Sequence, residues 1–206
     1  MSLKAIVFDY DGTLVDTNAC KHEAFFDLFP PSAAVRKVIE EVLAEMEPLS
    51  RHVIFPELLK RIQPVFPAAG PELAAEYIEQ YRQQVVAGQQ AAREMPGAHA
   101  SLRLLSQRFP LYISTVTPQE DIEYLLKERS WNHYFKRVFG YPNDKVQVLQ
   151  LVMRAEAADP GDIIMVGDGA GDRLAAEQAG CRFEQAGDGF NYDQFTQRLL
   201  EEYSPC

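Results

Sequence analysis

The chain has little cysteine and no cluster of metal-binding thiols. Its three cysteines, Cys20, Cys181 and Cys206, are scattered over 206 residues and form no Cys-x-x-Cys pair. An odd, dispersed set of thiols argues against a disulfide framework, and a structural zinc site needs closely spaced ligands. We therefore expect reduced thiols in a cytoplasmic protein.

Positive charge and long apolar runs are also scarce. Twenty Lys and Arg residues stand against 30 Asp and Glu residues, a formal net charge of −10 at pH 7. Nucleic acids and anionic membranes attract basic surfaces, so we expect neither as a partner. No run approaches the roughly 18 apolar residues of a membrane helix, and the run from Leu3 to Phe8 is too short for a secretory signal. A phosphate site in so acidic a chain needs a local cation or a helix N-terminus.

Apolar residues make up 47% of the chain, enough for a sizeable core. Short apolar runs without alternation occur at residues 5–8, 111–114, 137–139 and 163–166, with a weaker one at 181–184. Such runs are typical of strands buried on both faces of a parallel sheet. Helical patterns separate them, at residues 98–108, 121–128, 146–155 and 172–179. The alternation predicts right-handed crossovers and a doubly wound, Rossmann-like α/β domain.

The interval between the first two runs is far longer than a crossover requires. It carries no convincing strand, and prolines such as Pro48 separate its helical patterns. These patterns cover residues 20–28, 33–46, 54–62 and 72–86. We interpret residues 17–95 as an inserted helical module, and residues 1–16 with 96–206 as the α/β core.

Two carboxylates stand at the end of the first predicted strand, in the run Phe8-Asp9-Tyr10-Asp11-Gly12-Thr13-Leu14. Ligands of open α/β sheets bind at the carboxyl ends of strands. Paired carboxylates are costly there unless a cation is bound, and Gly12 lets the backbone turn sharply beside a ligand. Two solvated loop aspartates would explain the spacing alone, but the whole run favours a functional site.

A second pair, Asp168 and Asp172, follows the strand predicted at residues 163–166. The glycines around it suggest a dinucleotide-binding Gly-x-Gly-x-x-Gly loop, but Asp172 occupies the third glycine position. Carboxylates at two strand ends, with no His or Cys nearby, predict a hard-cation site. Such a site favours magnesium over zinc.

Thr115 ends the strand that begins at Leu111, and a helix-start pattern follows it. In this pattern Thr117 is the N-cap, Pro118 the first helical residue and Glu120 the partner in a capping box. The Thr115 hydroxyl is then expected near a helix N-terminus, where anions bind. Lys145 opens another predicted helix. Taken separately, the threonine pattern could be an ordinary helix cap without a ligand, and Lys145 could be a solvated surface residue.

Together, and in this order, these elements resemble the motifs of the haloacid dehalogenase superfamily. The resemblance is to its phosphatase branch with a helical C1-type cap, which includes the phosphoglycolate phosphatase and β-phosphoglucomutase-like proteins. Residues 9–172 carry it, through Asp9-x-Asp11-Gly12-Thr13-Leu14-x-Asp16, Thr115, Lys145, and Gly167-Asp168 with Asp172.

The resemblance implies a Mg²⁺-dependent phosphatase acting on a small phosphorylated metabolite. Asp9 would be the nucleophile, and Asp11 would be the general acid and base. The groups that bind phosphate would be Gly12, Thr115, Val116 and Lys145. The metal ligands would be Asp9, Asp168 and the backbone carbonyl of Asp11. Asp172 would bind the metal directly or through water, or would orient Lys145.

The inserted module is similar to a cap that covers the active site and selects the substrate. Within it, Arg51 and His22 are candidate substrate contacts, although solvated or packed helix residues are the more common role for both types. Val116 stands where relatives often carry Asn or Gly. A sugar-phosphate mutase that uses Asp9, and a non-catalytic binding protein on the same fold, remain alternatives. We expect a monomer or a homodimer.

Overall fold

The computed structural model describes residues 2–46 and 49–203, so Pro48 and Cys206 lie outside the described residues. The chain divides into two compact units. One comprises Met1–Thr17 with Ala92–Cys206, and the other comprises Asn18–Ala91. The long helical insertion expected between the first two strands is confirmed.

Five parallel strands form one sheet in the first unit. They are β1 (Ala5–Phe8), β2 (Leu111–Pro118), β3 (Phe135–Tyr141), β4 (Ile163–Gly167) and β5 (Arg182–Gln185). The order β3-β2-β1-β4-β5 places β1 at the centre, where all four of its residues are buried. The predicted edge strand is confirmed as β5. The strand order reverses between β1 and β4, so ligands are expected at the carboxyl ends of these two strands.

The second unit consists of helices whose apolar faces meet in a core of their own. The helices are α1 (Asn18–Asp27), α2 (Ala33–Met46), α3 (Arg51–Ile62) and α4 (Ala74–Ala91). Aromatic rings join three of them, since Phe25 lies 4.4 Å from Tyr81 and 5.3 Å from Phe55 between ring centroids. Offset aromatic pairs of this kind add to the stability gained by burial.

The remaining helices belong to the first unit. They are α5 (Ala98–Leu105), α6 (Gln119–Glu128), α7 (Lys145–Ala155), α8 (Ala170–Ala179) and α9 (Tyr192–Glu202). The sequence interpretation contains no counterpart of α9. Asn191 caps its N-terminus by accepting a hydrogen bond from the Gln194 N–H, and Thr196 bonds to Ser101 of α5. None of the helices in the described part of the chain has the length and apolar character that crossing a bilayer requires.

The expected N-cap of α6 is wrong. Strand β2 continues to Pro118, and Pro118 rather than Thr117 precedes the first residue of α6, without a side-chain capping bond. The Thr117 hydroxyl instead donates to the Asp11 carboxylate at 2.7 Å. A buried polar group requires hydrogen-bond partners, so the Thr117 hydroxyl binds Asp11 instead of capping the helix.

The chain leaves and re-enters the first unit through paired segments. Asp16 N–H donates to the Arg93 carbonyl at 2.9 Å, and Met95 N–H donates to the Leu14 carbonyl at 3.0 Å. We call residues 92–95 the return segment. Its pairing with residues 14–16 holds both ends of the insertion together within the first unit.

Gly140 in β3 lies against the end of β2 and the start of α6. A Cβ atom at this position would stand 2.6 Å from the Thr117 carbonyl oxygen and 2.7 Å from the Gln119 Cα. The Gly140 N–H also donates to the Gln119 side-chain oxygen at 2.6 Å. The missing side chain therefore lets the end of β2, which carries Thr115 and Thr117, approach β3 closely.

We expect Gly140→Ala to lower the free energy of unfolding by about 1–3 kcal/mol, because the added methyl group must displace backbone atoms. Urea denaturation measures the loss. Gly161→Ala is the matched control, since a Cβ there meets no atom within 4 Å. A loss of equal size in both variants would contradict the packing argument.

Candidate active site

Asp9 is fixed at the centre of the sheet, directly after β1. Its N–H donates to the carbonyl of Val166 in β4 at 2.8 Å, so the neighbouring strand holds its backbone. The residue is 6% exposed. Three residues later Gly12 has φ +70°, a left-handed conformation that favours glycine, and the chain turns back at this point. The side chain of Asp9 is thereby held at the switch point of the sheet.

Lys145 joins two of the predicted site carboxylates. It is the first residue of α7, whose N-terminus is capped by the Asp144 side chain. Its Nζ lies 2.5 Å from Asp172 Oδ1 and 3.2 Å from Asp9 Oδ1. Burial alone lowers the pKa of the lysine ammonium, but the two carboxylates outweigh burial and hold that pKa above its ordinary value. Lys145 is therefore a fixed cation of the site.

Asp9, Asp168 and Asp172 form a compact acidic group. Each offers one carboxylate oxygen, and the three atoms lie within 4.8 Å of one another. The Asp172 carboxylate packs against the backbone of Gly167, where a Cβ would stand 2.4 Å from its Cγ. Three oxygen donors without nitrogen or sulfur ligands suit a magnesium ion.

Asp9 also carries a buried oxygen that lacks a hydrogen bond. Among the described residues Oδ1 has no assigned hydrogen-bond partner, and its one close cation is the Lys145 ammonium at 3.2 Å. Burial raises the pKa of Asp9 to about 7, Lys145 opposes this rise, and the charges of Asp172 and Asp11 add to it. A second cation at the acidic group would satisfy this oxygen and favour its ionised form.

Hydroxyl groups hold Asp11 separately from this acidic group. Thr17 donates to its Oδ1 at 2.6 Å, and Thr117 donates to its Oδ2 at 2.7 Å. Thr115 approaches Oδ2 at 3.5 Å. All four residues are buried. Sequence reasoning missed Thr17 as a site residue and assigned Thr117 to a helix cap.

The other phosphate-binding candidates lie in the same part of the first unit. Thr115 is buried in β2 and accepts a hydrogen bond from the Thr117 N–H at 3.2 Å. Val116 between them is 48% exposed, although it is apolar. Their contact with phosphate, like that of Gly12, stays a prediction.

Groups that sequence reasoning missed support Asp168. The Thr13 hydroxyl donates to its Oδ1 at 3.3 Å, and the Gln185 side-chain N–H donates to its carbonyl at 2.7 Å. Tyr192, in the unpredicted α9, donates to the Thr13 carbonyl at 2.7 Å. The last helix therefore helps to fix the loop that follows β1.

The two candidates for substrate contact from the insertion lie in the second unit. Arg51 is the first residue of α3. His22 is in α1, where its ring centroid lies 5.2 Å from that of Phe26. Their contact with a substrate stays a prediction.

Sequence comparison places these features among known hydrolases. The model of the haloacid dehalogenase-like hydrolase family matches residues 3–180. A phosphoglycolate phosphatase of Vibrio cholerae is 28% identical over 190 residues, covering 87% of this chain and 82% of that protein. The pyrophosphatase PpaX of Anoxybacillus flavithermus is 27% identical over 189 residues, covering 88% and 82% respectively.

Solved structures share the fold. A haloacid dehalogenase-like hydrolase from Streptococcus pneumoniae superposes with a TM-score of 0.65 at 25% identity, covering 98% of this chain and 91% of that one. The hydrolase YfnB from Bacillus subtilis, bound to magnesium, gives a TM-score of 0.73 at 15% identity over the full length of both chains.

In EDTA, we expect the protein to lose stability as the pH rises from about 5 to 7.5. The pKa of Asp9 is about 7 in the folded protein against 3.8 for an ordinary aspartate. Between these values the folded state holds a proton that the unfolded chain has released, so a rising pH favours unfolding. Urea denaturation at both pH values measures this loss, which should be smaller in Asp9→Asn. Equal losses of stability in the wild-type and Asp9→Asn proteins would refute the assignment of the raised pKa to Asp9.

We expect Thr117→Val to lower the free energy of unfolding by about 1.5–3 kcal/mol, because the buried Asp11 carboxyl group loses one of its two short hydrogen bonds. Thr196→Val is the control, since it removes a buried but neutral bond to Ser101 and should cost about 0.5–1.5 kcal/mol. Both values come from urea denaturation. If Thr117→Val proves no more costly than Thr196→Val, the hydrogen bond from Thr117 to Asp11 is not a strong one.

Proposed function

The chain belongs to the haloacid dehalogenase-like hydrolases, and we propose that it is a magnesium-dependent phosphatase of small phosphate monoesters. The ester would be hydrolysed through a phospho-aspartate on Asp9. The observation that carries the proposal is the position of Lys145, whose buried ammonium lies between Asp9 and Asp172. Phosphoryl transfer depends on positioning and charge neutralisation, and this site has the groups for both.

The residues present fit a magnesium ion. Asp9, Asp168 and Asp172 would hold it, together with the backbone carbonyl of Asp11. The all-oxygen donor set and the unsatisfied Oδ1 of Asp9 support this ligand set, and the fold shared with magnesium-bound YfnB agrees with it. When bound, the ion supplies positive charge that stabilises the transferring phosphoryl group.

In the first step, an ionised oxygen of Asp9 attacks phosphorus. The bond between phosphorus and the ester oxygen breaks, and a proton from Asp11 passes to the leaving alcohol. Lys145 and the Thr115 hydroxyl would bind the non-bridging phosphoryl oxygens, with backbone N–H groups at Val116 and Gly12. The products of this step are the free alcohol and the phosphorylated Asp9.

In the second step, the Asp11 carboxylate takes a proton from water, and that water attacks the phosphorus of the phospho-aspartate. The bond between phosphorus and the Asp9 oxygen breaks, inorganic phosphate leaves, and both aspartates return to their starting states. Asp11 suits this double role because threonine hydroxyls bind it, whereas Asp9 and Asp172 share the lysine cation.

The helical insertion, Asn18–Ala91, would act as the cap that selects the substrate. Arg51 and His22 are our candidates for contacts with the part of the substrate beyond the phosphoryl group. The guanidinium of an arginine binds carboxylates and phosphates in a bidentate manner. We therefore expect a substrate with a second anionic group. The first to test is 2-phosphoglycolate, because the Vibrio cholerae relative is named a phosphoglycolate phosphatase.

The test is phosphate release in Mg²⁺ from a panel of p-nitrophenyl phosphate, 2-phosphoglycolate, pyrophosphate and hexose phosphates. Asp9→Asn should lower turnover by at least about a thousandfold, because the amide cannot attack phosphorus. Asp193→Asn changes an exposed aspartate in α9 and should leave turnover within about twofold of wild type. Wild-type turnover in pure Asp9→Asn would rule out the nucleophile.

The same panel tests the alternatives. A sugar-phosphate mutase would return an isomerised hexose phosphate, whereas a phosphatase releases free phosphate. A non-catalytic binding protein would bind Mg²⁺ and turn over none of the esters. A cytoplasmic location and a monomeric or homodimeric state stay predictions.

A further inference from the structure

Arg129 is a mostly buried cation that the proposed chemistry does not use. It follows the last residue of α6, and its side chain is only 12% exposed. Its Nε donates to the Tyr10 hydroxyl oxygen at 3.1 Å, and its Nη2 donates to the Ala92 carbonyl at 2.7 Å. Its Nη1 also lies 4.0 Å from a carboxylate oxygen of Glu94. Burying a guanidinium is costly unless such partners satisfy it.

These partners come from two functional parts of the chain. Tyr10 is fully buried and stands between Asp9 and Asp11 in the sequence. Ala92 and Glu94 belong to the return segment, and Glu94 forms an antiparallel bridge with Val15. One guanidinium therefore joins the loop that carries both catalytic aspartates to the segment through which the chain returns from the helical unit.

Local backbone geometry brings Arg129 to this place. Ser130, the next residue, has φ +57°, a left-handed conformation that is unfavourable for a residue with a side chain. The turn lets the Trp131 N–H donate to the Leu126 carbonyl at 2.8 Å and buries the indole. The Arg129 guanidinium lies 5.6 Å from the indole ring centroid. A strained turn at a serine is kept only where its surroundings hold it in place.

We propose that Arg129 is a positioning residue for the reaction. Through Tyr10 it fixes the segment from Asp9 to Asp11, and through Ala92 it makes that geometry depend on the return segment. The inference rests on the proposed function. Displacing a catalytic group by about 1 Å can cost a factor of about 100 in rate, so loosening Tyr10 should slow the chemical step without changing the groups that bind the substrate.

The experiment compares Arg129→Met, Arg129→Lys and Tyr10→Phe with Arg198→Met. Arg198 is a surface arginine of the same unit that pairs with Glu184, so its loss controls for removing a guanidinium. Circular dichroism first establishes that each variant is folded at the assay temperature. Tyr10→Phe keeps the buried ring and deletes one acceptor, so it stays informative if Arg129→Met does not fold.

We expect kcat to fall about tenfold in Arg129→Met and about threefold in Tyr10→Phe, with KM within twofold of wild type. Arg129→Lys should recover part of the loss, because an ammonium can donate to one of the two acceptors. The double variant Tyr10→Phe/Arg129→Met should be no slower than Arg129→Met, since both changes break the same contact. Arg198→Met should keep the wild-type kcat.

Folded Arg129→Met and Tyr10→Phe proteins with wild-type kcat, or with losses confined to KM, would overturn the positioning role. A wild-type protein that turns over none of the panel would overturn the proposed function instead. The positioning role is then judged by the Mg²⁺ affinity measured by calorimetry. Asp9 belongs to the acidic group that would bind Mg²⁺, so a displaced Asp9 should weaken this affinity. Affinity weakened by about threefold or more in Arg129→Met, but not in Arg198→Met, supports it, and unchanged affinity overturns it.

Discussion

One buried ammonium group holds together carboxylates that would otherwise repel each other. Lys145 lies within ion-pair distance of Asp9 and Asp172, which enter from a strand end and from a helix more than a hundred residues apart in the sequence. The sheet order makes the meeting possible, because β1 and β4 are neighbours and both end at this point. One lysine cannot neutralise Asp9, Asp168 and Asp172 together. The remaining negative charge would attract the proposed metal ion and, with it, an anionic substrate.

Much of the first unit could be predicted because its strands and its acidic motifs are local signals. An unbroken apolar run such as Ile163 to Val166 indicates a buried strand. A carboxylate directly after it must lie at the carboxyl ends of the parallel strands. The doubly wound sheet and the inserted helices were predicted correctly for this reason. Asp9, Asp168, Asp172 and Lys145 were likewise placed together, since strand ends and helix starts converge in this fold.

The partners of single hydroxyl groups could not be predicted in the same way. The Thr117 sequence context fits a helix cap, and only the three-dimensional structure shows that its hydroxyl bonds to Asp11 across 106 positions of chain. Tyr192 and Arg129 also act over long separations, at the Thr13 carbonyl and at Tyr10. Helix α9 was missed although Tyr192, Phe195, Thr196 and Leu199 form its buried face. Only three of these are apolar, and charged or amide residues separate them, so the periodic signal is weak.

The paired segments at the base of the insertion have a consequence for how such a protein diversifies. Because residues 14–16 bond directly to the return segment, the spacing of the ends is set within the sheet-bearing unit and not by the helices between them. Closing a longer or shorter stretch of chain between fixed ends changes the entropy of folding only slowly with length. The helices from α1 to α4 can then vary or be exchanged as a cassette, while the register of β1 and the positions of Asp9 and Asp11 are inherited unchanged. Under the proposed function, substrate choice and chemistry would then evolve at different rates in one polypeptide.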